Sequence, residues 1–159
     1  MKRFLICFLM LGLLFTSCEK ESEYTPLAGK YTAVCKISGI EYSLTVEIED
    51  DLSGKLCFSE ECAMSDWYYF YSSADKKIKK FSSLGEASEE KSENVKYIFR
   101  FILADFDNIA SVSQDKISGV DVSILKMTDG ALVYTDSKSG APLRLEYGNM
   151  TVDIISRPQ

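Results

Sequence analysis

The sequence predicts an all-β domain built as an antiparallel meander, closed into a barrel or packed as a sandwich. Three observations lead there. Apolar and polar residues alternate with period two, most sharply where Tyr42, Leu44, Val46 and Ile48 interleave with Glu41, Ser43, Thr45, Glu47 and Glu49. Turn-forming clusters such as Ser38-Gly39, Asp50 to Gly54 and Thr128-Asp129-Gly130 separate such segments after a few residues. Connections this short join antiparallel neighbours, since a parallel crossover needs about a dozen residues or more. No long stretch carries a convincing 3.6-residue period.

The elements follow in order. Tyr31, Ala33, Cys35 and Ile37 share one face of the first strand, and Lys30, Thr32, Val34 and Lys36 the other. The strand through Tyr42 to Ile48 follows, and Lys55 to Ser59 resumes an extended run after the turn. Asp66 to Ser72 places Trp67, Tyr69 and Tyr71 on one face and Tyr68 and Phe70 on the other. Lys77 to Phe81 forms its hairpin partner. Gly85 to Asn94 is polar and without apolar period, which predicts an exposed loop or a single helical turn. Val95 to Leu103 is the most apolar expected strand, with Val95, Tyr97, Phe99, Phe101 and Leu103 on one face and Ile98 and Ile102 on the reverse beside Lys96 and Arg100. Asp105 to Ile117 is weakly patterned and fits strand, helical turn or loop. Val120 to Met127 and Ala131 to Thr135 flank a turn, and Leu143, Leu145 and Tyr147 face Val152 and Ile154 across Gly148-Asn149. The total is about ten short strands.

Ahead of this domain, Lys2 and Arg3 precede an apolar run from Phe4 to Phe15, then Thr16-Ser17-Cys18. That is the layout of a signal peptide over residues 1–17, too short to cross a bilayer as a helix. Small residues directly before a cysteine resemble the lipobox of bacterial lipoproteins, with Phe15 where Leu is usual. The resemblance implies cleavage before Cys18, lipidation of Cys18 and firm anchoring at a membrane surface. Ordinary cleavage to a soluble secreted protein is the alternative. Residues 18–26 then form a tether, and its charged part Glu19-Lys20-Glu21-Ser22-Glu23 reads as a flexible spacer. It resembles the surface-export signal of Bacteroidetes lipoproteins, so the folded domain, residues 27–157, faces either the periplasm or the cell surface of the outer membrane.

Pro26-Leu27-Ala28-Gly29-Lys30-Tyr31 opens the domain. It resembles the Gly-x-Trp opening of lipocalins and related calycins, with Tyr31 in the Trp position, and the whole layout is similar to a lipocalin-like group in Bacteroidetes. The resemblance implies that Tyr31 plugs one end of a β-barrel, that an Arg from a late strand packs over it (Arg144 being the nearest candidate), and that a small apolar ligand binds inside.

Composition narrows the chemistry. The 159 residues carry 18 Lys+Arg, 24 Asp+Glu and no His. A formal charge of −6 argues against nucleic acid as partner. Without His there is no Ser-His-Asp or Cys-His nucleophile activation and no His-based metal site. With Cys7 in the leader and Cys18 lipidated, Cys35, Cys57 and Cys62 remain. Strand parity points Cys35 inward and Cys57 outward, so a Cys57–Cys62 disulfide stands beside free buried thiols as the two readings. Three thiols at this spacing do not make a metal centre, and no cofactor is expected. Trp67, Tyr69, Tyr71, Phe99 and Phe101 are the candidates for cavity lining or ligand contact, with an exposed glycan platform at Trp67 to Tyr71 as the alternative. Lys76, Lys77, Lys79 and Lys80 form a basic cluster that fits a lipid or polyanion contact, and more simply a solvated face or guarded edge. Glu47, Glu49, Asp50 and Asp51 lack the spacing of a calcium loop.

The expected role is therefore non-enzymatic: an outer-membrane lipoprotein, held to the membrane by its N-terminal lipid, that binds a small apolar or amphipathic ligand in a β-barrel. The alternative is a cell-surface interaction module that meets a glycan or another envelope protein through loops and exposed aromatics.

Overall fold

The computed structural model describes residues 24–59, 67–82, 84–85 and 87–159. The expected signal peptide, Cys18, the acidic run of the tether and Cys62 lie outside them. Among the described residues, eleven strands and one helix follow in the order β1 (Gly29–Ile37), β2 (Ile40–Ile48), β3 (Gly54–Cys57), β4 (Trp67–Ser72), β5 (Lys77–Ser82), β6 (Ala87–Glu89), α1 (Glu93–Ile102), β7 (Ile109–Ile117), β8 (Val120–Met127), β9 (Leu132–Asp136), β10 (Pro142–Tyr147) and β11 (Met150–Ser156). The all-β antiparallel meander is borne out.

All eleven strands form a single sheet in the order β6-β5-β4-β3-β2-β1-β11-β10-β9-β8-β7. Every neighbouring pair is antiparallel, and only β1 with β11 joins strands distant in sequence. The sheet is not closed: β6 and β7 are its two ends. The Ser38-Gly39 and Ser118-Gly119 turns carry positive φ at both positions (50° and 83°, 50° and 84°), the backbone of a two-residue hairpin whose twist matches its strands.

Period-two alternation is read correctly at the seam. Tyr31, Ala33 and Cys35 of β1 are buried, opposite Val46, Leu44 and Tyr42 of β2; on the other side Ala33 and Cys35 meet Ile154 and Val152 of β11. One inward face thus continues across both halves of the sheet. Tyr31 donates its hydroxyl to the Leu27 carbonyl at 2.9 Å and accepts from the Leu27 amide at 3.0 Å. Burial pushes that hydroxyl far above its ordinary range. Arg144 does not pack over it. Arg144 forms a bidentate pair with Asp153 (2.6 and 3.1 Å), and Asp153 lies in register with Val34, on the face opposite Tyr31. The cation whose charge reaches Tyr31 is Arg157.

Residues 95–103 are the main correction. They belong to helix α1 and its C-cap, not to a strand. Val95, Ile98, Phe99 and Ile102 recur at i, i+3, i+4 and i+7, with Tyr97 and Phe101 widening the stripe. Ile98 and Ile102, which a strand would turn to the reverse face, are 0% exposed. Glu93 in the first turn and Arg100 in the last suit the helix dipole. A Schellman motif stops the helix: the Asp105 amide donates to Arg100 O at 2.9 Å and the Ala104 amide to Phe101 O at 3.2 Å, with Ala104 at φ 52°. Two smaller differences flank it. The polar stretch before the helix includes the three-residue strand β6, and the weakly patterned stretch after it becomes β7, exposed along its whole length.

The helix has a topological reason. β6 and β7 are consecutive strands at opposite ends of an open sheet, so the chain between them must cross. By crossing on the apolar side, α1 covers the face that the strands must hide from water. Its residues join Leu44, Val46, Leu56 and Tyr69 from one half, and Val133, Leu145 and Val152 from the other, in one core. The approach to β3 is close. At Gly54 an added Cβ would lie 2.7 Å from Ile48 Cδ1 and 3.3 Å from Phe99 Cε1.

Cys35 is a free thiol, fully buried, and burial alone pushes its pKa from the ordinary 9.0 up to about 11. The folded state therefore keeps a proton that the unfolded chain releases. This contribution to stability is intact below about pH 9 and is lost between pH 9 and 11, at up to about 1.4 kcal/mol per pH unit. Urea unfolding at pH 8, 9 and 10 will show the decline, and Cys35→Ala will reduce it, the remainder belonging to the buried tyrosines, whose raised pKa values act in the same direction. An equal pH slope in both proteins would refute the assignment.

Candidate functional site

Among the described residues, the interior between helix and sheet is packed by one apolar cluster. The small void bordered by Phe101, Met127, Val133 and Leu145 holds only about 10 Å³. Among the described residues, room for a ligand lies along one side of α1, from its N-cap to its C-cap, in an open cleft of about 450 Å³ between the helix and the β4–β5 hairpin. This is the size range of small-molecule sites.

The cleft is built from three sources. Antiparallel register sets Tyr71 of β4 beside Ile78 of β5. The helix brings Phe99, Arg100 and Leu103 against them. The Tyr71 and Phe99 rings stack with centroids 5.5 Å apart and planes inclined by 29°. Above this apolar floor the rim is charged with both signs: Lys76, Lys77, Lys91 and Lys96 on one count, Glu89, Glu90, Glu93, Asp105 and Asp107 on the other. Among the described residues the rim holds one ion pair, Lys96 to Glu93 at 3.7 Å, exposed and so worth little.

The electrostatics follow from burial and neighbours. The Tyr71 hydroxyl is pushed upward by burial first, then by the charges of Asp105 and Asp75. Tyr69 is raised by burial and Glu90. Asp75, at the β4–β5 turn, is held below the usual carboxylate range by a hydrogen bond from Ser72, with the Lys77 amide and the Lys77 and Lys79 charges adding to it. Arg100 is the cation fixed in position. Its Nε donates to the Asp105 carbonyl at 3.1 Å, and its guanidinium lies 5.5 Å from the centroid of the Tyr97 ring.

Of the residues singled out from sequence, Tyr71 and Phe99 meet in the cleft. Phe101 is buried beside the small void, and Tyr69 is core. Trp67 sits at the other end of β4, 39% exposed, within an aromatic group formed with Phe58 (6.1 Å) and Tyr69 (5.4 Å). Ile78, Arg100 and Leu103 are not among those singled out, although a helical reading of residues 93–102 puts Arg100 on the same side as Glu93 and Lys96, which also line the cleft. The lysine cluster divides: Lys76 and Lys77 line the cleft, Lys79 pairs in register with Glu89, and Lys80 lies over Trp67 at 4.9 Å. Cys57 falls on the reverse face opposite Thr45, as parity requires, but is fully buried and disulfide-bonded. No cluster of metal-ligating groups occurs among the described residues. No described helix is long and apolar enough to cross a membrane.

The Lys80 ammonium over Trp67 has a measurable consequence. Iodide will quench the single tryptophan efficiently, because the cation draws the anion to it. Lys80→Met is expected to lower the iodide quenching constant by about half or more while leaving neutral acrylamide quenching near its original value. Equal iodide quenching in both proteins would show that the ammonium does not sit there.

No family model matches the chain, and no curated protein matches it. Among solved structures it is similar to a chain of "Crystal structure of MucB in complex with MucA(peri)", with a TM-score of 0.43 and 12% identity over 82% of this chain and 51% of that one. The chain thus spans about half the length of that neighbour, and a likeness this distant carries no functional argument.

Proposed function

We propose that this chain is an exported, lipid-anchored protein of the bacterial outer membrane whose β domain binds a small amphipathic ligand, without chemistry, in the cleft between α1 and the β4–β5 hairpin. The carrying observation is the cleft itself: about 450 Å³, floored by the stacked Tyr71–Phe99 pair and rimmed by charges. An apolar floor takes the body of such a ligand and polar groups orient it. The anchor rests on the Thr16-Ser17-Cys18 motif behind a positively started apolar run. Cys18→Ala is expected to move the protein from the membrane fraction to the soluble fraction of its native cells; unchanged fractionation would remove the anchor from this reading.

Binding is tested with a neutral fluorescent probe, N-phenyl-1-naphthylamine, on the processed protein. Saturable binding at one site is expected, with loss in Leu103→Trp, which fills the cleft from the helix C-cap, where Leu103 is only half-buried against the core. Absence of saturable binding, or full binding by the filled variant, would end the proposal.

A second reading, an interaction surface, is favoured by one observation. Trp67 and Tyr42 are both partly exposed at the end of the sheet remote from the cleft and share contacts with Phe58. Aromatic rings in that position suit a glycan or a protein partner.

A further inference from the structure

We infer that the cleft selects an anionic amphiphile, one carrying a carboxylate or phosphate on an apolar chain or ring, and that Arg100 receives its head. This rests on the cleft being the binding site and adds the identity of its ligand class.

Arg100 differs from the other cations of the rim. Lys76, Lys77 and Lys91 are side chains of the rim, free to swing through solvent at an entropic cost to any contact they make, and Lys96 is exposed and paired with Glu93 at 3.7 Å. The Arg100 group is held on two sides: Nε by the Asp105 carbonyl at 3.1 Å, and its plane by the Tyr97 ring, which itself stacks on Tyr147 at 3.9 Å. The carbonyl that holds it belongs to the residue whose amide completes the Schellman motif, so the end of the helix and the position of the guanidinium are one structure. Among the described residues no carboxylate lies within ion-pair distance of Arg100. Its two Nη groups are therefore a preset fork for carboxylate or phosphate oxygens, beside the stacked pair of Tyr71 and Phe99. Carboxylates on the same rim disfavour an anion that lacks an apolar body, because only burial on the floor brings the head to the fork. One rim carboxylate is also held: Glu90 Oε1 accepts from the Ser92 amide at 2.7 Å, which occupies one of its oxygens, whereas both Nη groups of Arg100 are left for a ligand. The nearest acidic side chain in the helix, Glu93, is spent on Lys96 and is largely exposed.

The test is calorimetric titration of the processed protein with dodecanoate, dodecyl phosphate, dodecanol and dodecyltrimethylammonium, each below its micelle-forming concentration. Both anions are expected to bind at one site at least about tenfold tighter than dodecanol, and the cation most weakly. The ratio of dodecanoate to dodecyl phosphate affinity separates a fatty-acid head from a phospholipid-like one. Arg100→Gln is expected to remove that advantage, so that on the variant the anions bind no tighter than dodecanol does. Arg100→Lys keeps the charge without the fork and is expected to retain part of it, which preserves the test should the glutamine variant fold poorly. If dodecanol binds as tightly as the anions, or Arg100 variants bind the anions normally, the inference falls while the cleft remains a binding site. If none of the four binds, both fall together.

Discussion

Ile98→Asp is expected to abolish cooperative folding. Ile98 is fully buried in the helix face that packs on the sheet, so the substitution removes an apolar side chain from the core and leaves a carboxylate there without a partner. Loss of burial and the cost of a buried unpaired charge together exceed about 4 kcal/mol. That is a large share of the stability of a domain this size, typically about 5–15 kcal/mol, and all of it toward the lower end. The measurement is thermal and urea unfolding followed by circular dichroism, with Lys96→Ala on the solvent side of the helix as a control expected to change stability by about 0.5 kcal/mol or less. The same variant discriminates two readings of residues 95–103. In a strand, position 98 faces away from the core and the substitution is mild. A near-normal melting temperature for Ile98→Asp would therefore overturn the helix.

Phe99→Ala is expected to destabilise by about 3–5 kcal/mol, the usual cost of emptying a buried phenylalanine site. Phe99 is 1% exposed, stacks on Tyr71 and closes against Gly54. At the size of this domain the loss corresponds to a fall in melting temperature of about 10 °C or more. Phe99→Leu keeps most of the volume and is expected to cost less than about 1.5 kcal/mol. The alanine variant also removes half of the cleft floor, so neutral probe binding is expected to weaken under conditions where the variant is still folded. Loss of stability without loss of probe binding would place the probe elsewhere.

These two residues mark where sequence reasoning stopped. Val95, Tyr97, Phe99, Phe101 and Leu103 satisfy a period of two, while Val95, Ile98, Phe99 and Ile102 satisfy 3.6. A segment this apolar satisfies both, and no local rule chooses. The choice is made by the rest of the chain: an open sheet with β6 and β7 at opposite ends has an uncovered apolar face, and only a crossing element covers it. The same misreading hid Arg100. On a strand it belongs to a polar reverse face; on a helix ending in a Schellman motif it is pinned at the mouth of the cleft. Tyr71 and Phe99 were found from sequence because aromatic residues line cavities in many folds. That they meet each other depended on the helix.

What the chain determined by itself is the sheet. Side chains two apart on an extended backbone point the same way, so alternation from Tyr31 to Cys35 and through Leu44, Val46 and Ile48 specifies a buried face, although Tyr42 at the end of that row is exposed and Thr45 on the reverse face is buried too; short positive-φ turns specify antiparallel neighbours. These are local constraints, legible in a few residues. Tertiary structure alone decided how that face is covered and where a ligand has room. Covering an apolar surface is a demand on the whole chain: residues 93–102 answer it as a helix because the sheet leaves them a face to fill, and the cleft is the gap left along one side of that helix.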